Sequence, residues 1–240
     1  MRTQLLILGA VVLCTLSTHA GFIYSDRDGT IPDGNPAGWS ATVDVSGLGT
    51  SITPGSISVN LNISGGYNGD LYAYLSYGGV LLPLLNRVGV HTGDAFGYGD
   101  TGFNVTLSDS GANNVHFYGN YSPSFNGSGQ LTGTWDPDGR TISPLSTPDK
   151  FDAAGTVTFA NFESLNPNGT WTIFFADLSS GEESTLVSWD LNINGVPEPV
   201  NVALGIFAGV FLTVGLARNR QVRTRIHQWR TAVVQWIDAV

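Results

Sequence analysis

Strict two-residue alternation of apolar and polar side chains constrains this chain more than any other feature. Ile57, Val59, Leu61 and Ile63 alternate with Ser58, Asn60 and Asn62. Phe103, Val105 and Leu107 repeat the pattern, as do Trp171, Ile173 and Phe175. Val187, Trp189, Leu191 and Ile193 alternate with Ser188, Asp190, Asn192 and Asn194. Period two sends one set of side chains to a core and the other to water, which is the pattern of half-buried antiparallel strands. Turn-forming Gly, Asn and Asp separate these runs, and no helical period interrupts them between Gly21 and Gly195. Many short strands in about 175 residues predict one all-β domain, a sandwich or jelly roll over residues 21–195. Trp171 and Trp189 fall at inward positions and are expected in its core. The Gly-, Pro- and Asn-rich stretch from Gly111 to Asp152 is expected to hold the longest loops.

Three segments add a resemblance. Ile63-Ser64-Gly65-Gly66-Tyr67-Asn68-Gly69-Asp70-Leu71 contains a G-D-L block; Asn168 to Asp177 contains G-x-W-x-I with an aspartate after it; Leu186 to Gly195 reads L-x-x-W-x-L-x-x-x-G. In this order they resemble the blocks of the proprotein convertase P domain, from about Ser56 to Gly195. The resemblance implies a jelly-roll antiparallel β-sandwich, a fold that usually follows a subtilisin-like protease. Ile31-Pro32-Asp33-Gly34 to Val45 would supply an opening turn and strand. Where that family often carries histidine before the G-D-L block, this chain has Gly65 and Gly66.

Both ends read as addresses. Arg2, the apolar Leu5 to Leu13 and the Thr18-His19-Ala20 site predict a signal peptide over residues 1–20. Leu13 stands where a lipoprotein signal wants a small residue before Cys14, which argues against lipidation. With Cys14 removed, the mature chain has no cysteine. At the other end Val196, Pro197, Glu198 and Pro199 precede an uncharged apolar run, residues 200–217. As a helix that run reaches roughly 27 Å, enough for one membrane span. Arg218, Arg220, Arg223 and Arg225 follow and would hold their end in the cytoplasm. This arrangement resembles the PEP-CTERM sorting domain. The resemblance implies recognition by exosortase, a membrane-embedded transpeptidase, and delivery to the cell surface or exopolysaccharide matrix. Unlike the usual short tails, residues 218–240 continue with Val222, Ile226, Trp229 and Val233 at helical spacing. That spacing is expected to give a basic amphipathic helix on the membrane surface.

Charge bounds the partners. The net charge is −9, but residues 21–199 carry four basic against eighteen acidic side chains, a net of −14. Such a domain is not a nucleic-acid binder. It suits cations, and calcium takes six to eight oxygen ligands. Asp70 in its turn and Asp177 at a strand end are the calcium candidates, with Asp26, Asp28 and Asp33 as a second cluster. Ordinary Asx turns are the competing reading of each.

No G-x-S-x-G elbow, phosphate loop or zinc motif is present. Gly49-Thr50-Ser51 continues with Ile52-Thr53, unlike a subtilisin nucleophile segment. His91 and His116 lie in polar stretches and are expected as solvated loop residues. Five Asn-x-Ser/Thr sequons, at Asn62, Asn104, Asn120, Asn126 and Asn168, are recorded as attachment sites only. The expected function is therefore a non-catalytic, exported surface or matrix protein. Tyr67, Tyr72, Tyr74, Tyr77, Tyr98, Tyr118 and Tyr121 are expected as exposed contacts for glycans or envelope proteins. The alternatives are an accessory module assisting a separate exported serine protease, and a jelly-roll hydrolase.

Overall fold

The computed structural model describes residues 20–26, 29–196, 206–212 and 214–215. Residues 20–196 form two packed sheets. The first has the order β1-β9-β3-β6-β7 and the second β2-β8-β4-β5. The strands are β1 (Ala20–Asp26), β2 (Trp39–Val45), β3 (Ser58–Gly65), β4 (Leu71–Tyr77), β5 (Val80–Asn86), β6 (Gly102–Leu107), β7 (Leu131–Trp135), β8 (Gly169–Asp177) and β9 (Ser184–Gly195). Short 3-10 turns at Asn68–Asp70, Val115–Tyr121, Pro148–Asp152 and Phe159–Phe162 are the helical elements of the sandwich. The domain is an all-β sandwich, as the alternation predicts.

The core lies between the sheets. Val59, Leu61, Ile63, Phe103, Val105, Leu107, Trp189, Leu191 and Ile193 meet Leu71, Ala73, Leu75, Trp171, Ile173 and Phe175. Trp171 and Trp189 are both enclosed, as expected. The Trp171 ring stacks on Tyr77 at 4.2 Å and 6°, and its Nε1 donates to the Pro167 carbonyl at 2.9 Å. Aromatic pairs of this kind stabilise beyond the area they bury.

Four expectations need correction. Val187 does not face the core. The β3–β9 register shifts between Asn62 and Ile63, so that Asn62 opposes Ser188 and Ile63 opposes Leu186. Val187 is the extra residue of this bulge and is 38% exposed, while Leu186 takes the buried place. Second, β7 runs parallel to β6, with Phe103 opposite Leu131 and Leu107 opposite Trp135. The long connection between Leu107 and Leu131 returns the chain to its starting end, which a hairpin cannot do. Third, the stretch from Ile31 to Val45 does not supply the opening strand: β1 precedes it and pairs with β9 from Ala20↔Gly195 to Asp26↔Trp189. Fourth, Tyr118 is buried against Tyr98, Phe103 and Trp135 rather than exposed.

Residues 206–212 and 214–215 are helical, within the expected span of residues 200–217. Among the described residues no helix is long and apolar enough to cross a membrane. Val196 is described, with its N–H donating to the Ser51 carbonyl at 2.9 Å. The expected signal peptide up to His19, together with Asp28, Pro197, Glu198, Pro199, Arg218, Arg220, Arg223 and Arg225, lies outside the described residues.

Candidate functional site

Asp70 and Asp177 do come together. Leu71 pairs with Asp177 across β4 and β8, which sets the two aspartates at one end of the second sheet. Asp70 closes the one-turn Asn68–Asp70 helix, its N–H donating to Tyr67 and its carbonyl accepting from Leu178. Gly69 is required in that turn, because a Cβ there would lie 2.0 Å from the Phe96 carbonyl oxygen. Asp177 is enclosed; one carboxylate oxygen accepts from the Ser179 N–H at 3.3 Å and the other from Ser184 Oγ at 3.2 Å. Burial, and then the charges of Asp70 and Asp33, push its carboxyl up to about 6. Burial also raises Asp70, against the opposing pull of the Ser179 hydroxyl and Arg87. Asp33 joins the corner by accepting the Gly181 N–H with both oxygens. Asp26, its sequence neighbour in the second cluster, lies on β1 in the first sheet. Among the described residues no three His, Cys, Asp or Glu side chains converge as a metal-holding group.

A second charged group was hidden from the sequence. His116 is fully enclosed rather than solvated. Its Nδ1 contacts Asp138 Oδ2 at 2.7 Å and its Nε2 the Val90 carbonyl oxygen at 2.9 Å. Asp138 also accepts from the Asn86 N–H at 3.1 Å and from Arg140 Nη1 at 3.2 Å. Arg140 Nε reaches the Phe151 carbonyl at 3.0 Å, and the guanidinium lies 5.2 Å from the centre of the Phe117 ring. The Asp138 and Gly139 N–H groups donate to Leu84 and Pro83, so this network fixes the post-β7 loop along the edge of β5. An imidazole held at both nitrogens has none left to take a proton from a substrate. His91, by contrast, is exposed, with Nδ1 2.8 Å from the Gly89 carbonyl oxygen.

The outer face of the first sheet carries a third grouping. Cross-strand register aligns Asp190, Asn60, Thr106 and Thr134 in one row, and Ser188, Asn62, Asn104 and Thr132 in the next. Thr106 Oγ1 donates to Asn60 Oδ1 at 2.8 Å, and Asn60 Nδ2 donates to Asp190 Oδ2 at 3.2 Å. Gln130 Nε2 holds Asn62 Oδ1 at 2.8 Å. Most members of both rows line a cavity of about 430 Å³, where Gly133 contributes bare backbone. The alternation assigns most of these residues to water, but only the pairing register makes them a surface.

The outer face of the second sheet is aromatic. Tyr72 and Tyr74 alternate with buried Leu71, Ala73 and Leu75, and Phe174 stacks on Tyr74 at 4.9 Å and 13°. Both tyrosines are half-buried there, and burial raises the Tyr72 hydroxyl to about 12. Tyr121 is exposed, whereas Tyr67 and Tyr98 are half-buried and Tyr77 packs on Trp171.

No protein-family model matches this chain, and no curated protein does. Among solved structures it is similar to the Aeromonas sobria serine protease in complex with its chaperone, at 13% identity over 74% of this chain, with a TM-score of 0.38. It is similar also to the serine protease of Aeromonas sobria alone, at 12% identity over 73% of this chain, with a TM-score of 0.38. The chain spans 27% of the length of those two structures.

Proposed function

We propose that this chain is an exported, non-catalytic binding and structural β-sandwich of jelly-roll type, sorted to the cell surface or extracellular matrix. An exosortase-type transpeptidase would recognise Val196, Pro197, Glu198 and Pro199, with residues 200–217 as a transient membrane span and Arg218, Arg220, Arg223 and Arg225 as its cytoplasmic stop. The observation that supports the binding role is where the open polar groups lie. They are gathered in rows on one face of a rigid sheet, and only Asp190 among them is charged. His116 and Asp138, the pair best suited to acid–base chemistry, are committed to holding a loop.

Calcium belongs to this proposal at the Asp70–Asp177 corner. The residues fit a cation in part. The charges of Asp70 and Asp33 act on the enclosed Asp177 carboxylate, and a divalent cation beside it would offset them. Further oxygens would have to come from the loop between Asp177 and Ser184.

The test is the intact mass and C-terminal peptide of the native protein from envelope and medium. A terminus at or near Val196 to Pro199 is expected. A terminus at Val240 in the membrane fraction would overturn the sorting reading and leave a permanently anchored protein.

A further inference from the structure

We propose that the cavity on the outer face of the first sheet is a binding site for a neutral polysaccharide chain. This rests on the reading of a matrix-binding sandwich and names its ligand and its residues. The argument begins with unused hydrogen-bonding capacity. Asn60 is satisfied within its own row, with Oδ1 taken by Thr106 and Nδ2 by Asp190. Asn62 Nδ2, both ends of the Asn104 amide, the Ser188 hydroxyl and Asp190 Oδ1 have no partner among the described residues. These groups supply donors and acceptors together, at cross-strand intervals of about 4.8 Å. The internal bonds hold Asn60, Asn62 and Asp190 before any ligand arrives, which lowers the ordering cost of binding.

The chemistry of the lining selects the ligand. Among the described residues no Lys or Arg lines the cavity, so phosphate, sulfate and uronate groups find no cation among them. The net of −14 over residues 21–199 further repels polyanions. Leu61 and Val105 have their side chains in the core, so an apolar ligand gains little. A protein partner would want aromatic or arginine anchors, and the aromatic cluster lies on the other sheet. A polyhydroxylated, uncharged polymer matches the amides, hydroxyls and single carboxylate that remain.

The experiment is native affinity electrophoresis of the full chain, in a detergent without a sugar headgroup, through gels containing dextran, xylan or galactomannan, with alginate as the acidic control. Retardation by at least one neutral polymer and none by alginate is expected. Asn104→Ala, at an exposed side chain with no described partner, should weaken that retardation at least tenfold while leaving the thermal transition in place. Asn62→Ala and Asp190→Ala should act in the same direction. No retardation by any neutral polymer, or retardation by alginate alone, overturns the proposal. Retardation that survives Asn104→Ala but is lost in Tyr74→Ala moves binding to the aromatic sheet. That outcome keeps the matrix-binding reading and removes this cavity from it.

Discussion

His116 Nδ1 and Asp138 Oδ2 lie 2.7 Å apart, with neither side chain exposed to water. Asp138→Ala would leave His116, Arg140 and the Asn86 N–H without their shared acceptor inside the protein. Breaking one partner of a buried charged network costs about 3–5 kcal/mol. Urea unfolding should show a lower midpoint with an unchanged slope. A loss below about 1 kcal/mol would mean that the post-β7 loop is held by something other than this network.

Asp177 predicts a pH dependence with a definite sign. Its folded value is raised from 3.8 to about 6, so the fold favours the protonated form. The stabilisation from this group is complete below the unfolded value and is lost as pH climbs through the folded one. At about 1.4 kcal/mol per unit, the swing is roughly 3 kcal/mol at most. Other carboxylates run the opposite way; Asp94 is held low by the Phe96 and Gly97 N–H groups. The comparison of wild type with Asp177→Asn isolates the term. The variant should be the more stable at neutral pH, and the difference should shrink on acidification towards pH 4. Bound calcium would lower the Asp177 value, so excess calcium at neutral pH should raise the wild-type Tm and not that of Asp177→Asn.

Gly69→Ala places a methyl group 2.0 Å from the Phe96 carbonyl oxygen. The backbone must move, at a cost of about 1–3 kcal/mol. Gly29→Ala, with nothing within 4 Å of the added carbon, is the comparison and should stay within about 0.5 kcal/mol. Thermal unfolding of both variants decides it.

The bulge at Val187 gives a paired test. Val187→Ser should change stability by less than about 0.5 kcal/mol, and Leu186→Ala should lose about 2–4 kcal/mol. Equal losses in both would mean that the register of β9 against β3 is different from the one described.

What the sequence made legible follows from how local each signal is. The alternation in β3, β6, β8 and most of β9 is set within a few residues, and there the structure agrees. The Val187 bulge departs from it because a register shift depends on the partner strand. Asp70 and Asp177 were found because one follows the Gly69 turn and the other closes a patterned strand. His116 and Asp138 were missed as a pair: they meet only when the post-β7 loop folds back along β5, and neither lies in a periodic run. The cavity was half visible, since Asn60, Asn62 and Asp190 occupy solvent positions in plain alternation. Their assembly into rows needs four strands from distant parts of the chain.

The pairing of Ala20 with Gly195 has a mechanical corollary. The sandwich is entered and left at one pole, while Ser184, at the start of β9, sits beside Asp177 at the other. β9 has 12 residues, and at about 3.3 Å each it sets those poles nearly 40 Å apart. Whatever holds the chain beyond Gly195 therefore tethers the domain by its foot. Under the sorting proposal, the acidic corner of Asp33, Asp70 and Asp177 would then lie at the tip farthest from the membrane, with the two sheet faces along its sides.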